Sequence, residues 1–192
     1  MARVDFIDAT GRAKSSAINE MMRKAITQAS KDIRKVYNIS AGDLRKKIIT
    51  RQATKNKPEG RVEIDGRGIP LGKFAPLQKI VKTARGKRVG VTVKVKKSGG
   101  RKLVKGGFQA LRLKGGSEEQ RKKIFKAEGP KRVATKGRYK GKSVEPLMPL
   151  FTTSPATMFV KEAENLFLEM IDRELFEKFD SKLDFFLKRQ AA

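Results

Sequence analysis

The sequence predicts an α+β fold: a long N-terminal amphipathic helix, a central antiparallel sheet, basic loops and a long C-terminal helix. Three observations predict it. Apolar residues recur at intervals of three and four near both ends, strict alternation appears in the middle, and stretches rich in Gly, Lys and Arg separate the two patterns. The expected organisation is one domain overall. It runs as an N-terminal helical segment over 1–50, an antiparallel β core over 51–128, a basic loop over 129–153 and a C-terminal helix over 154–192.

From Ser15 to Val36 the apolar positions are Ile18, Met21, Met22, Ala25, Ala29, Ile33 and Val36, one stripe on a helix of about six turns. Arg23, Lys24, Lys31, Arg34 and Lys35 fall mostly off that stripe and give a basic outer face. Asn38 is expected to close the helix in the left-handed conformation. Ser40 with Asp43 reads as a capping box opening a short second helix to about Ile48. Val62 and Ile64 alternate with charged residues as in a half-buried strand, and Gly66, Gly68 and Pro70 break the next stretch into short pieces. The clearest strand is Val89–Lys96, with valines at 89, 91, 93 and 95 on one face. Ser98-Gly99-Gly100 turns the chain, Lys102-Leu103-Val104 begins the return, and Phe108, Ala110, Leu111 and Leu113 continue it. Ile124–Ala127 adds one more strand to this antiparallel meander. Residues 114–123 and 129–145 are poor in core residues, rich in Gly, Lys and Arg, and read as loops. From Pro155 to Leu187 the helical period returns, with Ser154 as N-cap and proline at the first helical position.

Composition narrows the chemistry. The 192 residues include no histidine and no cysteine, which removes Cys/His zinc sites, thiol and imidazole nucleophiles, Ser-His-Asp relays and disulfides. No run approaches a membrane span, and the first residues lack the apolar region of a secretory signal, so synthesis in the cytoplasm is expected. The 46 Lys and Arg against 20 Asp and Glu are unevenly placed. Residues 1–50 carry +6, residues 51–145 carry +22, and residues 146–192 carry −2. The middle either lies against DNA or an acidic protein surface, or parts of it stay mobile until a partner neutralises them.

No motif supplies an active site. Lys136–Ser143 has the look of a phosphate-binding loop, but three residues separate its glycines where four are needed, and no apolar strand feeds it. Glu63 and Asp65 share one strand face without a third acid or a compact acid-lysine pair, which a Mg²⁺-dependent nuclease requires. Phe108 on a basic strand could stack on a base, but it reads better as core. No zinc finger, basic zipper or aromatic RNA-binding pair is present. The expectation is therefore a protein that is not an enzyme and uses no cofactor or metal.

Several segments in order carry a resemblance: Arg34-Lys35-Val36-Tyr37-Asn38-Ile39-Ser40, Ile69-Pro70-Leu71-Gly72-Lys73-Phe74, Gly90–Val95, Val104–Phe108, Ile124–Ala127 and Pro146–Met158. Over about residues 15–165 this order resembles the minor tail protein Z family of lambda-like long-tailed phages, the tail completion proteins of the neck. Lys126 stands where that pattern ends its strand in arginine, and Thr152-Thr153-Ser154 where it more often reads glycine-proline-serine. The resemblance implies a non-enzymatic virion component at the head-proximal end of the tail, needed for tail maturation and productive head–tail joining. It also implies neck and tail proteins as partners, and the charge and apolar patterns suit assembly as a homo-oligomeric ring.

Charge and turn pattern then assign candidate contact residues for DNA or an acidic partner. Lys94, Lys96, Lys97, Arg101, Lys102 and Lys105 are expected to form one basic hairpin face, and Arg132, Lys136, Arg138, Lys140 and Lys142 a mobile basic loop. Phe167, Ile171, Leu175, Phe179, Leu183 and Phe186 are the expected protein interface, within or between subunits. The alternative function is a general non-specific nucleic-acid-binding protein; a metal-dependent nuclease built on Glu63 and Asp65 is a third reading.

Overall fold

The computed structural model describes residues 2–80, 88–109, 123–137 and 139–191. The fold is α+β, with a long helix near each end and small antiparallel sheets between them. The chain divides into two compact units, one made of residues 1–35, 41–67 and 154–192 and the other of residues 36–40 and 68–153.

The first unit is built on helix α1, Ala2–Val36. It begins well before the Ser15 that hydropathy suggests, because its early face is made of alanine. Ala9, Ala13 and Ala17 follow one another at one-turn spacing and are fully buried, continuing into Met21, Met22, Ala25, Ala29 and Ile33. Alanine has the best helix propensity yet adds little to a hydropathy period. Small side chains let the 52–60 segment lie close along α1. Asn19 clamps it by donating to the Ala53 carbonyl at 2.9 Å and accepting the Ala53 amide at 2.8 Å. A Cβ on Gly11 would sit 3.0 Å from the Lys55 carbonyl oxygen. Asp8 holds the same segment through Lys55 and also pairs with Arg12 at 2.8 Å.

Helix α2 is Ala41–Arg45, shorter than expected. Ile48, expected at its end, instead opens strand β1 (Ile48–Arg51), which pairs antiparallel with β2 (Arg61–Ile64) in the register Ile48↔Ile64 to Arg51↔Arg61. β-Branched Ile48, Ile49 and Thr50 favour the pleated surface. Lys47 fixes the junction: its carbonyl accepts the Asp65 amide at 2.9 Å and its ammonium meets the Asp65 carboxylate at 2.8 Å.

The C-terminal segment is two helices rather than one, α3 (Pro155–Glu162) and α4 (Glu164–Ala191). Ser154 caps α3 as expected, its hydroxyl accepting the Thr157 amide at 3.1 Å ahead of Pro155. The joint is Ala163, buried and non-helical at φ −139°, ψ −18°. Hydrogen bonds from Ala163 N to Phe159 O and from Phe167 N to Ala163 O carry across it, so the bend loses little bonding and leaves no Gly or Pro signal. α4 runs antiparallel to α1. Glu20 accepts from Lys178 at 2.7 Å and Lys182 at 2.9 Å, and one turn further along α1, Lys24 meets Glu174.

The second unit holds two three-stranded antiparallel sheets. One has the order β3 (Leu77–Ile80), β4 (Arg88–Val93), β5 (Lys102–Lys105). The strands β6 (Gly107–Gln109) and β7 (Ile124–Ala127) belong to the other, whose edge is β10 (Leu147–Pro149). The meander is thus split into small sheets. Gly106, in the left-handed region at φ 71°, ends β5, and the chain resumes as β6 paired with β7. Ala110, Leu111 and Leu113, expected to continue that strand, lie outside the described residues. Val91, Val93 and Ile124 form the buried centre, with Leu71, Val95, Val104 and Leu150 packed around it. A last two-stranded ribbon, β8 (Arg132–Val133) with β9 (Ser143–Val144), and strand β10 occupy what sequence treats as a loop over 129–153. Asn38 does not adopt the left-handed cap; Ala75 is the one positive-φ non-glycine residue among those described. Instead the Asn38 amide donates to the Val95 carbonyl at 2.8 Å and the Asn38 side chain to the Lys94 carbonyl at 3.1 Å, which binds the chain after α1 to this unit.

Two outcomes test this packing. A Cβ on Gly90, at φ 152°, would meet the Val104 carbonyl oxygen at 2.2 Å, so Gly90→Ala should cost about 2 kcal/mol through strain in the β4–β5 pair; an unchanged melting temperature would contradict that contact. Glu20, held down from its ordinary 4.5 to about 2 by hydrogen bonds from Lys178 and then Lys182, gives stability that is complete above pH 4.5 and lost as pH falls towards 2. Partial exposure screens this to about 1 kcal/mol. Urea titrations should therefore show wild type losing that increment between these pH values relative to Glu20→Gln.

Candidate functional site

Charge is sorted between the units. The second carries 24 Lys and Arg against four Asp and Glu, a net +20, and leaves +6 for the first. Among its described residues the acids are Glu128 and Glu145, and Lys131 with Glu145, at 3.9 Å, is its one ion pair.

The predicted hairpin cations are arranged by strand register. Antiparallel pairing sets Lys102 opposite Val93 and Lys105 opposite Gly90. Cross-strand partners share a face and successive residues alternate, so Lys102 and Lys105 project from opposite faces of β5, and the six cations do not share one face. Lys94 is half-buried, its amide donating to the Phe74 carbonyl at 3.2 Å. Lys96 and Lys97 are exposed just beyond β4; the Lys96 ammonium stands 5.9 Å from the centre of the Tyr37 ring, and the Lys97 amide donates to the Val36 carbonyl at 2.8 Å. Arg101 is pinned by a 2.7 Å bond from its guanidinium to the Ala75 carbonyl.

Arg132, Lys136, Lys140 and Lys142 are exposed on the β8–β9 ribbon and its turn, while Arg138 lies outside the described residues. Gly137 and Gly141 take left-handed conformations at φ 75° and 78°, and the turn closes through Lys140 N to Gly137 O and Gly141 N to Ala134 O. Ribbon leads back into ribbon here, so the strand-to-helix frame of a nucleotide loop is missing. Tyr139, exposed among these lysines, is a surface aromatic that a reading by charge alone passes over.

The apolar stripe of α4 is half-buried at all six predicted positions, Phe167, Ile171, Leu175, Phe179, Leu183 and Phe186. Phe167 meets Phe159 edge-on at 5.3 Å. Leu175 and Phe179 border a cleft of about 210 Å³ with Lys14, Ala17 and Ile18 of α1, and Phe176 stands at its rim. This part of the stripe therefore faces α1 of the same chain. The helical period does not mark the outward face: Phe176 is 74% exposed, and Leu166, Leu168 and Phe185 also face solvent. Its signal lies in the phenylalanines that fall off the three-and-four spacing. Glu169, Asp172, Glu177, Asp180 and Asp184 on the same side take no ion pair, whereas Glu174, held below the usual carboxylate range by Lys24 and then Arg173, is fully engaged.

The two acids considered for metal binding are engaged by cations. Glu63 lies between Arg51 at 3.3 Å and Arg61 at 4.0 Å. Asp65 is lowered by its hydrogen bond from Lys47 and then by the Arg67 amide. Among the described residues no group of three or more acids is gathered as a metal site would need.

The described surfaces thus combine exposed cations, an outward apolar helix face with unpaired acids beside it, and carboxylates such as Glu63 and Asp65 engaged by cations. No curated protein and no solved structure matches the chain. The family model described as prophage minor tail protein Z matches residues 4–189 of the 192. The chain belongs to the prophage minor tail protein Z family, and so to the structural proteins of the phage tail and virion.

Proposed function

We propose that this chain is a tail completion protein at the head-proximal end of the tail, required for tail maturation and productive joining to a filled head. It works without catalysis, cofactor or metal. Other neck and tail proteins are its partners, it assembles as a homo-oligomeric ring, and it resides in the host cytoplasm until the virion forms. The observation that carries this reading is the +20 unit in a member of a tail-protein family. A tail conducts DNA whose sequence is irrelevant to passage, and exposed Lys and Arg neutralise phosphates without reading bases. The same charge supports the alternative of a general non-specific nucleic-acid binder, which differs in where the protein is found.

Gold-labelled antibody against the chain, applied to intact virions and separated tails, should mark the head–tail junction. Label at the distal end, or no label on virions with the protein recovered on bulk nucleic acid, would refute the assignment and, in the second case, establish the alternative. The ribbon is tested separately. Lys136→Glu with Lys140→Glu and Lys142→Glu should reduce the slope of log affinity for duplex DNA against log salt by about 3, and should lower head joining in complementation. A wild-type slope with normal joining would remove the ribbon from the DNA path.

A further inference from the structure

We infer that the outward face of α4 on one copy of this chain docks on the outer face of the β3–β4–β5 sheet of the next copy. The helix face presents Asp172, Phe176 and Asp180 at successive one-turn spacings, all exposed and the two carboxylates without an ion pair. The sheet face is set by its register. Leu77, Thr92 and Leu103 form one row, and positions Lys79, Gly90 and Lys105 form the neighbouring row on the same face. Leu77 is 54% and Leu103 37% exposed. Leu103 leans over Gly90, its Cδ1 3.3 Å from where a Cβ would stand.

Spacing and charge both match. Asp172 and Asp180 are eight residues apart, about 12 Å along a helix. Positions 79 and 105 are two strands apart, about 10 Å across a sheet. Two acids thus meet two lysine positions, while Phe176 between them packs on Leu77 and Leu103. The rim of the α1–α4 cleft, where Phe176 stands, is covered in the same contact. A second copy is the occupant because the chain supplies both halves: unpaired acids on the terminal helix, and a unit of 24 cations against four acids. A symmetric contact of two α4 faces would set Asp172 and Asp180 of one copy against those of the other, which like-charge repulsion disfavours. The contact is therefore heterologous, the kind that builds rings or open chains. It rests on the proposed ring assembly only for its closure; the contact itself is a property of the purified chain.

The test is sedimentation velocity of the full-length, nuclease-treated protein at about 0.1 M salt, where the Debye length is about 10 Å. Wild type should form concentration-dependent oligomers. Asp172→Lys with Asp180→Lys should raise the dissociation constant at least tenfold, and adding Lys79→Glu with Lys105→Glu to the same chain should recover most of the loss. Phe176→Ser should weaken association as well, with unchanged helical circular dichroism as the folding control. A monomer at every concentration, an oligomer indifferent to the acid-to-lysine change, or a change that the reversed lysines do not rescue would each overturn the inference. Its failure is distinct from that of the proposed location: virion label away from the junction leaves this contact standing, and a monomer leaves the location standing.

Discussion

Self-repulsion within the cationic unit is the constraint on which the rest of the structure depends. Two like charges 10 Å apart in water repel by about 0.4 kcal/mol before screening, and 24 Lys and Arg against four acids make many such pairs. The buried apolar residues that oppose them, among those described, are Val91, Val93 and Ile124 with their half-buried neighbours, together with Tyr37, Ile39, Ile69 and Phe74. The fold limits the cost by setting cations at exposed strand ends and turns and giving some of them neutral partners. Arg101 donates to a backbone carbonyl, and Lys96 stands over the Tyr37 ring. What the unit is short of is anions, with four acids against its 24 cations.

The helical unit, at a net +6, is closer to balance. Five of its acids each bridge two cations: Asp8 with Arg12 and Lys55, Glu20 with Lys178 and Lys182, Glu63 with Arg51 and Arg61, Asp65 with Lys47 and Arg67, and Glu174 with Lys24 and Arg173. Several of these bridges join elements distant in sequence, α1 to the 52–60 segment and α1 to α4. Exposed pairs contribute little singly, but here they select which helix faces meet, since alanine-lined α1 offers few large side chains to fix a register. Among the acids outside this network, Asp172 and Asp180 lie on the outward side of α4, one turn to either side of Phe176.

Elements with a strong period were legible in the sequence. The Met and Ile stripe of α1, the valine strand through Val91 and Val93, the return at Lys102–Val104, strand Ile124–Ala127 and the Ser154-Pro155 cap all stand where periodicity and turn chemistry put them. The family was legible too, through the order of several individually weak segments. Elements decided by tertiary pairing were not. The alanine face of α1 is nearly silent in hydropathy, Ile48 was claimed by a strand partner 16 residues away in register, and Ala163 breaks a helix without a breaker residue. Asn38, suited to a left-handed cap, was taken instead by the carbonyls of residues 94 and 95. Among the site residues, charge identified the cations but could not assign them to faces, because that depends on the odd separation of Lys102 and Lys105 within one paired strand.

In the assembly proposed above, that division of faces would separate two partners that otherwise compete. Duplex DNA carries a negative charge about every 1.7 Å of its axis, a density that two carboxylates about 12 Å apart on a helix cannot match. If every cation lay on one surface, DNA would displace any acidic protein from it. With Lys105 beside Leu77 and Leu103 on one face, and Lys102 on the other, the docking inferred above would let an apolar contact select a protein partner for the first face. DNA, which gains nothing from exposed leucines, would then be left with the ribbon lysines, because Lys102 projects on the side of the sheet where Val91 and Val93 are buried. A neighbouring copy seated through Phe176, as inferred above, would also lower the net charge of the unit it covers, so that assembly would relieve the repulsion that each copy carries alone.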